Sequence, residues 1–293
     1  MFNLKEEIIC DYKVTTQRKK VWQKELEILE KIIEICENNN IKYSLSGGSL
    51  LGAVRHKGFI PWDDDIDIVM KREDYNKFLS IAEKQLQYPY FVQYYKTEKM
   101  YNRGHAQIRN SETTAILKYE TTIQGKNNYN KGIFVDIFPL DNVPNDEKER
   151  KRFVNRVDFK KKIITLTRSK EKSIKGLIKR CIKNIIMVLF DKQTQIEKFE
   201  KYVLKYNDVD TRQCGAIAFF PKEFKYENSW FKDFVKLQFE YLEVTCVKNY
   251  DQLLKRQYGD YMKIPKDKNG SKHGGVFFDT ERSYKTYEIG GKI

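Results

Sequence analysis

This sequence predicts an α+β fold carrying a basic helical insert, and three observations predict it. Over the first 141 residues, stretches with apolar residues three and four apart give way to stretches in which apolar and polar residues alternate. From about residue 145 to residue 206 the composition turns to Lys-rich helix. The 293 residues, 40% hydrophobic and 14% aromatic, suffice for one sizeable domain, or a domain with a helical appendage, and are too apolar for a disordered chain.

Taken in order, residues from about Thr16 to Glu37 read as a helix, with Trp22, Leu26, Leu29, Ile33 and Cys36 on one stripe and Asn38, Asn39 and Asn40 ending it. Ile41 to Leu45 read as a strand, with Ile41, Tyr43 and Leu45 facing one way and Lys42 and Ser44 the other. The strand runs into a turn, Gly47-Gly48-Ser49, and a short helix from about Ser49 to Arg55. Pro61 breaks the chain before a second strand, Ile66 to Met70, and a helix from about Glu73 to Lys84 comes next. Residues 88 to 140 carry further strands, the clearest being Gly132 to Phe138, which Pro139 is expected to stop. The part after about Asp210 is mixed and ends in a polar tail with Gly and Lys, expected to be loosely ordered.

Composition narrows the partners. No stretch of about 18 apolar residues occurs, so no membrane-spanning helix is expected. Charges stand where a signal peptide needs an apolar stretch. The five cysteines (Cys10, Cys36, Cys181, Cys214, Cys246) form no C-x-x-C pair, which argues against a zinc site or a disulfide framework and suits a reducing cytosol. A cytoplasmic protein is therefore expected. The net charge of +14 attracts anions: nucleotides, nucleic acid, phosphorylated glycans or acidic lipid headgroups.

The most informative segment is Trp62-Asp63-Asp64-Asp65-Ile66-Asp67-Ile68. In a strand Asp65 and Asp67 point to one side, Asp63 joins them if the strand begins early, and Ile66 and Ile68 enter the core. Carboxylates so placed repel by roughly 1 kcal/mol in water at about 5 Å, and several-fold more at low dielectric. A divalent cation removes that penalty, and hard oxygen ligands favour Mg²⁺ or Mn²⁺. A calcium EF-hand is excluded, because its sixth position counted from Asp63 is Ile68, where that loop needs Gly. Asp136, on one face with Phe134 and Phe138, needs a partner in so apolar a strand. It completes the metal site, serves as a general base toward a hydroxyl, or is a core carboxylate bonded to a neighbouring Arg or backbone amide.

Gly47, Gly48 and Ser49 follow a strand and open a helix, an arrangement that lets backbone N–H groups approach a phosphate. No G-x-x-x-x-G-K-[ST] occurs, which excludes a P-loop. Arg55, His56 and Lys57 lie between the glycines and the aspartates and suit a nucleotide pyrophosphate, with His56 either a phosphate donor or a structural imidazole. Arg109 is a further candidate for binding the same group.

The run from Tyr43 to Ile68 (YSLSGGSLLGAVRHKGFIPWDDDIDI) resembles the signature of the LicD family, which includes bacterial phosphocholine transferases and fukutin-related ribitol-phosphate transferases. Asp74-Tyr75, Gly132 to Asp141 (GIFVDIFPLD), and Tyr258-Gly259-Asp260-Tyr261-Met262 with Pro265 and His273 resemble further family blocks. The resemblance implies a nucleotidyltransferase-like fold, a mixed sheet with flanking helices. In it residues 1–141 form the catalytic core, 142–209 the basic helical insert, and 210–293 the part that completes the catalytic domain. It implies Asp136 as the third carboxylate beside Asp65 and Asp67, and His273 as part of the substrate site. The implied reaction is metal-dependent transfer of a phospho-alcohol, phosphocholine foremost, from a CDP-alcohol donor to a hydroxyl of a cell-surface glycan, with release of CMP.

Residues 148 to 184 carry 15 Lys or Arg against three acids, and Ile174, Leu177, Ile178, Cys181, Ile182, Ile185, Ile186 and Leu189 form an apolar stripe. This is either a helix packed on the core with a solvated basic face, or a peripheral contact with an anionic membrane presenting a lipid-linked glycan acceptor. Two competing readings share parts of this pattern. A nucleotidyltransferase acting on RNA or a small molecule would release pyrophosphate. A non-enzymatic nucleic-acid-binding protein would use the basic helices, but it leaves the aspartates unexplained, and no nucleic acid is expected as partner.

Overall fold

Thr15, whose side chain accepts a hydrogen bond from the backbone N–H of Arg18 at 3.3 Å, starts the first helix, α1 (Thr16–Asn38). The structure is a computed structural model describing residues 2–99, 101–117, 129–165, 191–223, 226–266, 268 and 275–289. Ahead of α1 stands a hairpin that the sequence does not announce, β1 (Glu7–Ile9) and β2 (Tyr12–Val14). Its turn residues Cys10 and Asp11 both have positive φ, 51° and 56°, without the usual Asn-Gly pair.

The elements then follow as β3 (Ser44–Leu45), α2 (Gly47–His56), β4 (Asp67–Lys71) and α3 (Arg72–Gln85). Next come β5 (Tyr90–Gln93), β6 (Ala106–Asn110), β7 (Thr114–Leu117) and β8 (Ile133–Val143). After the helices α4 (Glu147–Ile164) and α5 (Lys192–Val203) come β9 (Gln213–Gly215), β10 (Tyr226–Glu227), β11 (Phe234–Phe239) and β12 (Leu242–Val247). The described chain closes with α6 (Tyr250–Tyr258), β13 (Gly275–Asp279) and α7 (Tyr284–Ile289).

The main sheet is mixed, in the order β10-β9-β8-β4-β3, with β6 sharing the far edge of β8 with β9 and β5 paired to β6. The β4–β8 pair is parallel; β3–β4, β6–β8 and β8–β9 are antiparallel. Flanking helices and a mixed sheet are the architecture that the family resemblance implies.

Pro139 does not stop β8, contrary to expectation. The N–H of Asp136 points toward β4, bonding the carbonyl of Ile66 at 3.0 Å. By alternation the missing N–H of Pro139 faces the other edge. On that edge β6 pairs only as far as Ile137 and β9 begins only at Asp141, so no ladder bond is lost.

The β3 strand is shorter than expected, and Ser44, on the face opposite Tyr43 and Leu45, is buried as they are. The hairpin β11–β12 covers it: Val247 N–H donates to the Ser44 hydroxyl at 3.1 Å, and Thr245 N–H to the Tyr43 hydroxyl at 3.1 Å. Part of the segment expected to be loosely ordered is built into the fold, since β13 pairs antiparallel with β7 and α7 follows it.

Two hydrophobic clusters hold the molecule. The larger joins α1, α2 and α3 to the sheet. The smaller lies between α4 and α5, where Phe153, Val157, Ile196, Phe199 and Val203 meet Val143, Ile217 and Ala218. The apolar stripe from Ile174 to Leu189 lies outside the described residues. Cys10, Cys36, Cys214 and Cys246 are free thiols. Among the described residues no helix is long and apolar enough to cross a membrane.

Candidate active site

Parallel pairing of β4 and β8 sets Asp67 directly opposite Asp136. The strand begins at Asp67, so Asp63 and Asp65 sit on the loop leading into it rather than on the expected strand. One ligand oxygen from each of Asp65, Asp67 and Asp136 lies within 4.8 Å of the others. The same spacing holds in a second group, Asp63, Asp64 and Asp65. Asp63 thus falls with Asp64 and Asp65 instead of with Asp136, and Asp65 is common to both groups.

Two helices hold these carboxylates in place. On α1, Arg18 and Trp22 donate to the carbonyl of Asp63 at 2.5 and 3.2 Å. On α2, the Ser49 hydroxyl accepts from Asp67 N–H at 2.8 Å, so this serine pins the helix to the strand. Gly47 and Gly48 form the first turn of α2 rather than a turn before it. A Cβ on Gly48 would stand 2.2 Å from Asp63 Oδ2, and Gly47 has φ +54°. Only glycine lets the positive end of this helix approach the acidic loop so closely.

The carboxyls of Asp65 and Asp136 shift in opposite directions. Burial, then Asp67 and Asp63, push the Asp65 carboxyl well above its ordinary value. Burial also acts upward on Asp136, but His105, Arg103 and Gln107 outweigh it and hold that carboxyl below the ordinary value. The Asp136 Oδ1 accepts from His105 Nε2 at 2.8 Å and from Gln107 Nε2 at 2.6 Å. An all-oxygen cluster whose charges repel is the donor set that a hard divalent cation relieves, so the residues present fit Mg²⁺ or Mn²⁺.

The basic candidates separate. Arg55 lines the cleft, and its Nη1 donates to the carbonyls of Tyr261 at 2.7 Å and Lys263 at 3.4 Å. His56 is absent from the cleft lining: its Nε2 accepts from Arg55 Nε at 2.9 Å, and burial and the charge of Arg55 lower its pKa to about 4. Lys57 ends α2 with φ 56°, exposes its side chain, and does not line the cleft. Arg109 is not a cleft residue either. It is fully buried over the ring of Phe134, with Nη2 on Gln107 Oε1 at 2.7 Å and Nη1 on the Gly132 carbonyl at 2.8 Å. By occupying the oxygen of Gln107 it turns that amide's NH₂ toward Asp136. His273 lies outside the described residues.

The cleft above the carboxylates measures about 590 Å³. It is lined also by residues that sequence reasoning did not select, among them Trp62, Tyr226, Tyr258 and Lys263. Tyr258 carried a signal, since it belongs to a block matched by resemblance. Its hydroxyl is pushed up to about 12 by burial and by Asp63 and Asp67. Tyr226 carried none: its hydroxyl meets the Ser46 hydroxyl at 2.6 Å across 180 residues of chain. For His105 and Gln107 the only signal was polar residues alternating on a strand, with Gln107 in register with Asp136.

Comparison with known proteins bears on this site. Residues 40–171 match the family model described as LicD/FKTN/FKRP, nucleotidyltransferase domain. The lipopolysaccharide cholinephosphotransferase LicD of Haemophilus influenzae is 31% identical over 273 residues, covering 85% of this chain and 92% of that protein. An uncharacterised protein of Rickettsia prowazekii is 42% identical over 76 residues, 26% of this chain and 27% of its own length. The human ribitol 5-phosphate transferase FKRP is 46% identical over 43 residues, 15% of this chain and 9% of its own.

Proposed function

The chain belongs to the LicD family, and on that premise we propose that it transfers phosphocholine from a CDP-alcohol donor to a hydroxyl of a cell-surface glycan, releasing CMP. The observation that carries the proposal is the convergence of Asp65, Asp67 and Asp136 beneath a cleft whose wall includes Arg55 and the glycine-opened helix.

Asp65 and Asp67, with Asp136, would hold a divalent cation, and Asp63 and Asp64 extend the acidic loop. When bound there, such a cation would supply positive charge against the donor pyrophosphate and the departing phosphate. The N-terminus of α2 at Gly47 and Gly48 and the guanidinium of Arg55 face the donor's phosphates. The acceptor oxygen forms a bond to the β-phosphorus. The bond from that phosphorus to the bridging oxygen breaks, and CMP leaves with the oxygen. The hydroxyl proton passes to solvent or to Asp136. The lowered carboxyl of Asp136 suits holding charge in place better than taking a proton.

The test is CMP release by the purified protein with Mg²⁺ across a panel of CDP-alcohols, with a glycan extract as acceptor. One donor should react, and Asp65→Ala should lower the rate at least ~100-fold while keeping a cooperative melt. Silence across the panel, with pyrophosphate released from a nucleoside triphosphate, would replace this reading with nucleotidyl transfer.

A further inference from the structure

The walls of the cleft differ in chemistry. Near the C-terminal end of α2, the lining is cationic and polar, with Arg55, Asp260 and Lys263. The aromatic ring there already carries a cation, since the Arg55 guanidinium lies 6.0 Å from the centroid of Trp62. A second wall is apolar. Phe138 follows Asp136 on the same face of β8, and Val69, its partner on β4, follows Asp67. Ala216 and Phe220 close this wall, and Glu223 stands at its rim.

Local geometry brings Phe220 and Glu223 together. The N–H of Phe220 bonds the carbonyl of Ala216 at 2.7 Å, and the N–H of Glu223 bonds that of Phe220 at 2.9 Å, so the two belong to one turn. The rings of Phe138 and Phe220 lie 6.3 Å apart at 30°; Phe219 packs against both, at 5.2 and 4.5 Å, and His105 stacks on Phe138 at 4.6 Å, which leaves Phe220 as the more exposed ring of the pair. Phe220 is 44% exposed, a large apolar side chain held at the cleft edge. The neighbouring cations Arg103 and Lys161 pack on the ring of Phe219, which does not line the cleft.

We infer that the corner formed by Val69, Phe138, Ala216, Phe220 and Glu223 binds the trimethylammonium group of the transferred alcohol and so selects choline. Aromatic faces and one carboxylate attract a large, weakly hydrated cation. The apolar lining offers no partners for the hydroxyls of a polyol, whose desolvation there would go uncompensated. Distance agrees. One two-residue step along a strand is about 7 Å, and the four bonds from phosphorus to nitrogen in phosphocholine span about 5 Å. A phosphate held over Asp67 and Asp136 therefore places the ammonium over Val69 and Phe138. The assignment rests on the phospho-alcohol transfer proposed above.

Equilibrium binding of CDP-choline, CDP-glycerol and CMP in Mg²⁺ tests it, with CMP release from each CDP-alcohol measured alongside. Phe220→Ala and Glu223→Gln alter exposed rim residues, and wild type should bind CDP-choline at least tenfold more tightly than CDP-glycerol. Each variant should lose roughly tenfold toward CDP-choline and leave CMP unchanged, and Phe220→Trp should retain the preference. Equal losses toward CMP and CDP-choline would overturn the assignment. So would CMP release from CDP-glycerol by a wild type with no preference for CDP-choline, a result that leaves the transfer reaction standing. If no CDP-alcohol binds or reacts, the transfer reading itself fails, and the choline corner with it.

Discussion

Arg55 and Arg109 both stood as candidates for gripping a pyrophosphate, and burial divides them. Arg55 opens onto the cleft, while Arg109 is sealed in the core and spends its donors on Gln93, Gln107 and Gly132. A sequence shows an Arg on an alternating strand but not how much protein lies above it, so depth was the illegible quantity. Depth also governs Glu200 on α5. It is buried beside Arg72, whose Nη1 is 3.7 Å away and whose other nitrogens bond Asp141 bidentately at 2.7 Å. Arg72 is thus already satisfied, and burial pushes the Glu200 carboxyl up to about 7 despite its pull. Because the folded value is raised above the unfolded one, the stabilisation is complete below the ordinary carboxylate range and is lost as pH rises through 7. Chemical denaturation should therefore find wild type about 1 kcal/mol less stable at pH 8 than at pH 6 from this group. Glu200→Gln should remove that part of the slope, and an unchanged slope in the variant would refute the assignment.

At the scale of elements, the acidic loop is clamped by its neighbours, α1 from one side and α2 from the other. The loop after α2 folds back over its own helix, so that a Cβ on Gly52 would meet the carbonyl oxygen of Gly58 at 2.3 Å. Backbone cannot swing aside as a side chain can. Gly52→Ala should cost about 1–3 kcal/mol in a denaturant titration and should also slow CMP release, because the displaced loop carries Trp62 and Asp63. A substitution neutral in both would show that the loop adapts. Elements with strong periodicity were legible in the sequence: α1 and α3 fall within a residue or so of the expected spans, and the helix–strand–helix order around the aspartates holds. What was not legible depended on distant chain. Pro139 passes through β8 only because two different strands share the edge it faces, a fact encoded in residues 106–110 and 213–215. The β1–β2 hairpin lacked any turn signature. Asp65, Asp67 and Asp136 were legible as carboxylates flanked by apolar residues, whereas His105 and Gln107, which orient Asp136, look like ordinary strand polars until β6 is paired to β8.

For the molecule as a whole, the formal charge of +14 is the property left to explain once the cleft is accounted for. Much of it is carried by α4 and the chain beyond it. On α4, Lys148, Lys151, Arg152 and Arg156 are exposed, and Phe159 leaves 60% of its surface in solvent, while Phe153 and Val157 hold the opposite face against α5. A helix anchored on one side, with cations and an aromatic on the other, is suited to an anionic bilayer, where a glycan acceptor attached to lipid would be presented. Each basic side chain near such a surface contributes about 1 kcal/mol, and the attraction fades as the Debye length falls from about 10 Å at 0.1 M salt to about 3 Å at 1 M. The protein should therefore sediment with vesicles containing anionic lipid at low salt, stay in solution with neutral vesicles, and be released by 1 M salt. Reversing two charges with Lys151→Glu and Arg152→Glu should weaken binding at least tenfold, since these residues lie outside the cleft lining, and leave CMP release with a soluble acceptor unchanged. Failure to sediment at low salt would mean that this face is simply solvated, its charge serving long-range attraction of the anionic donor alone.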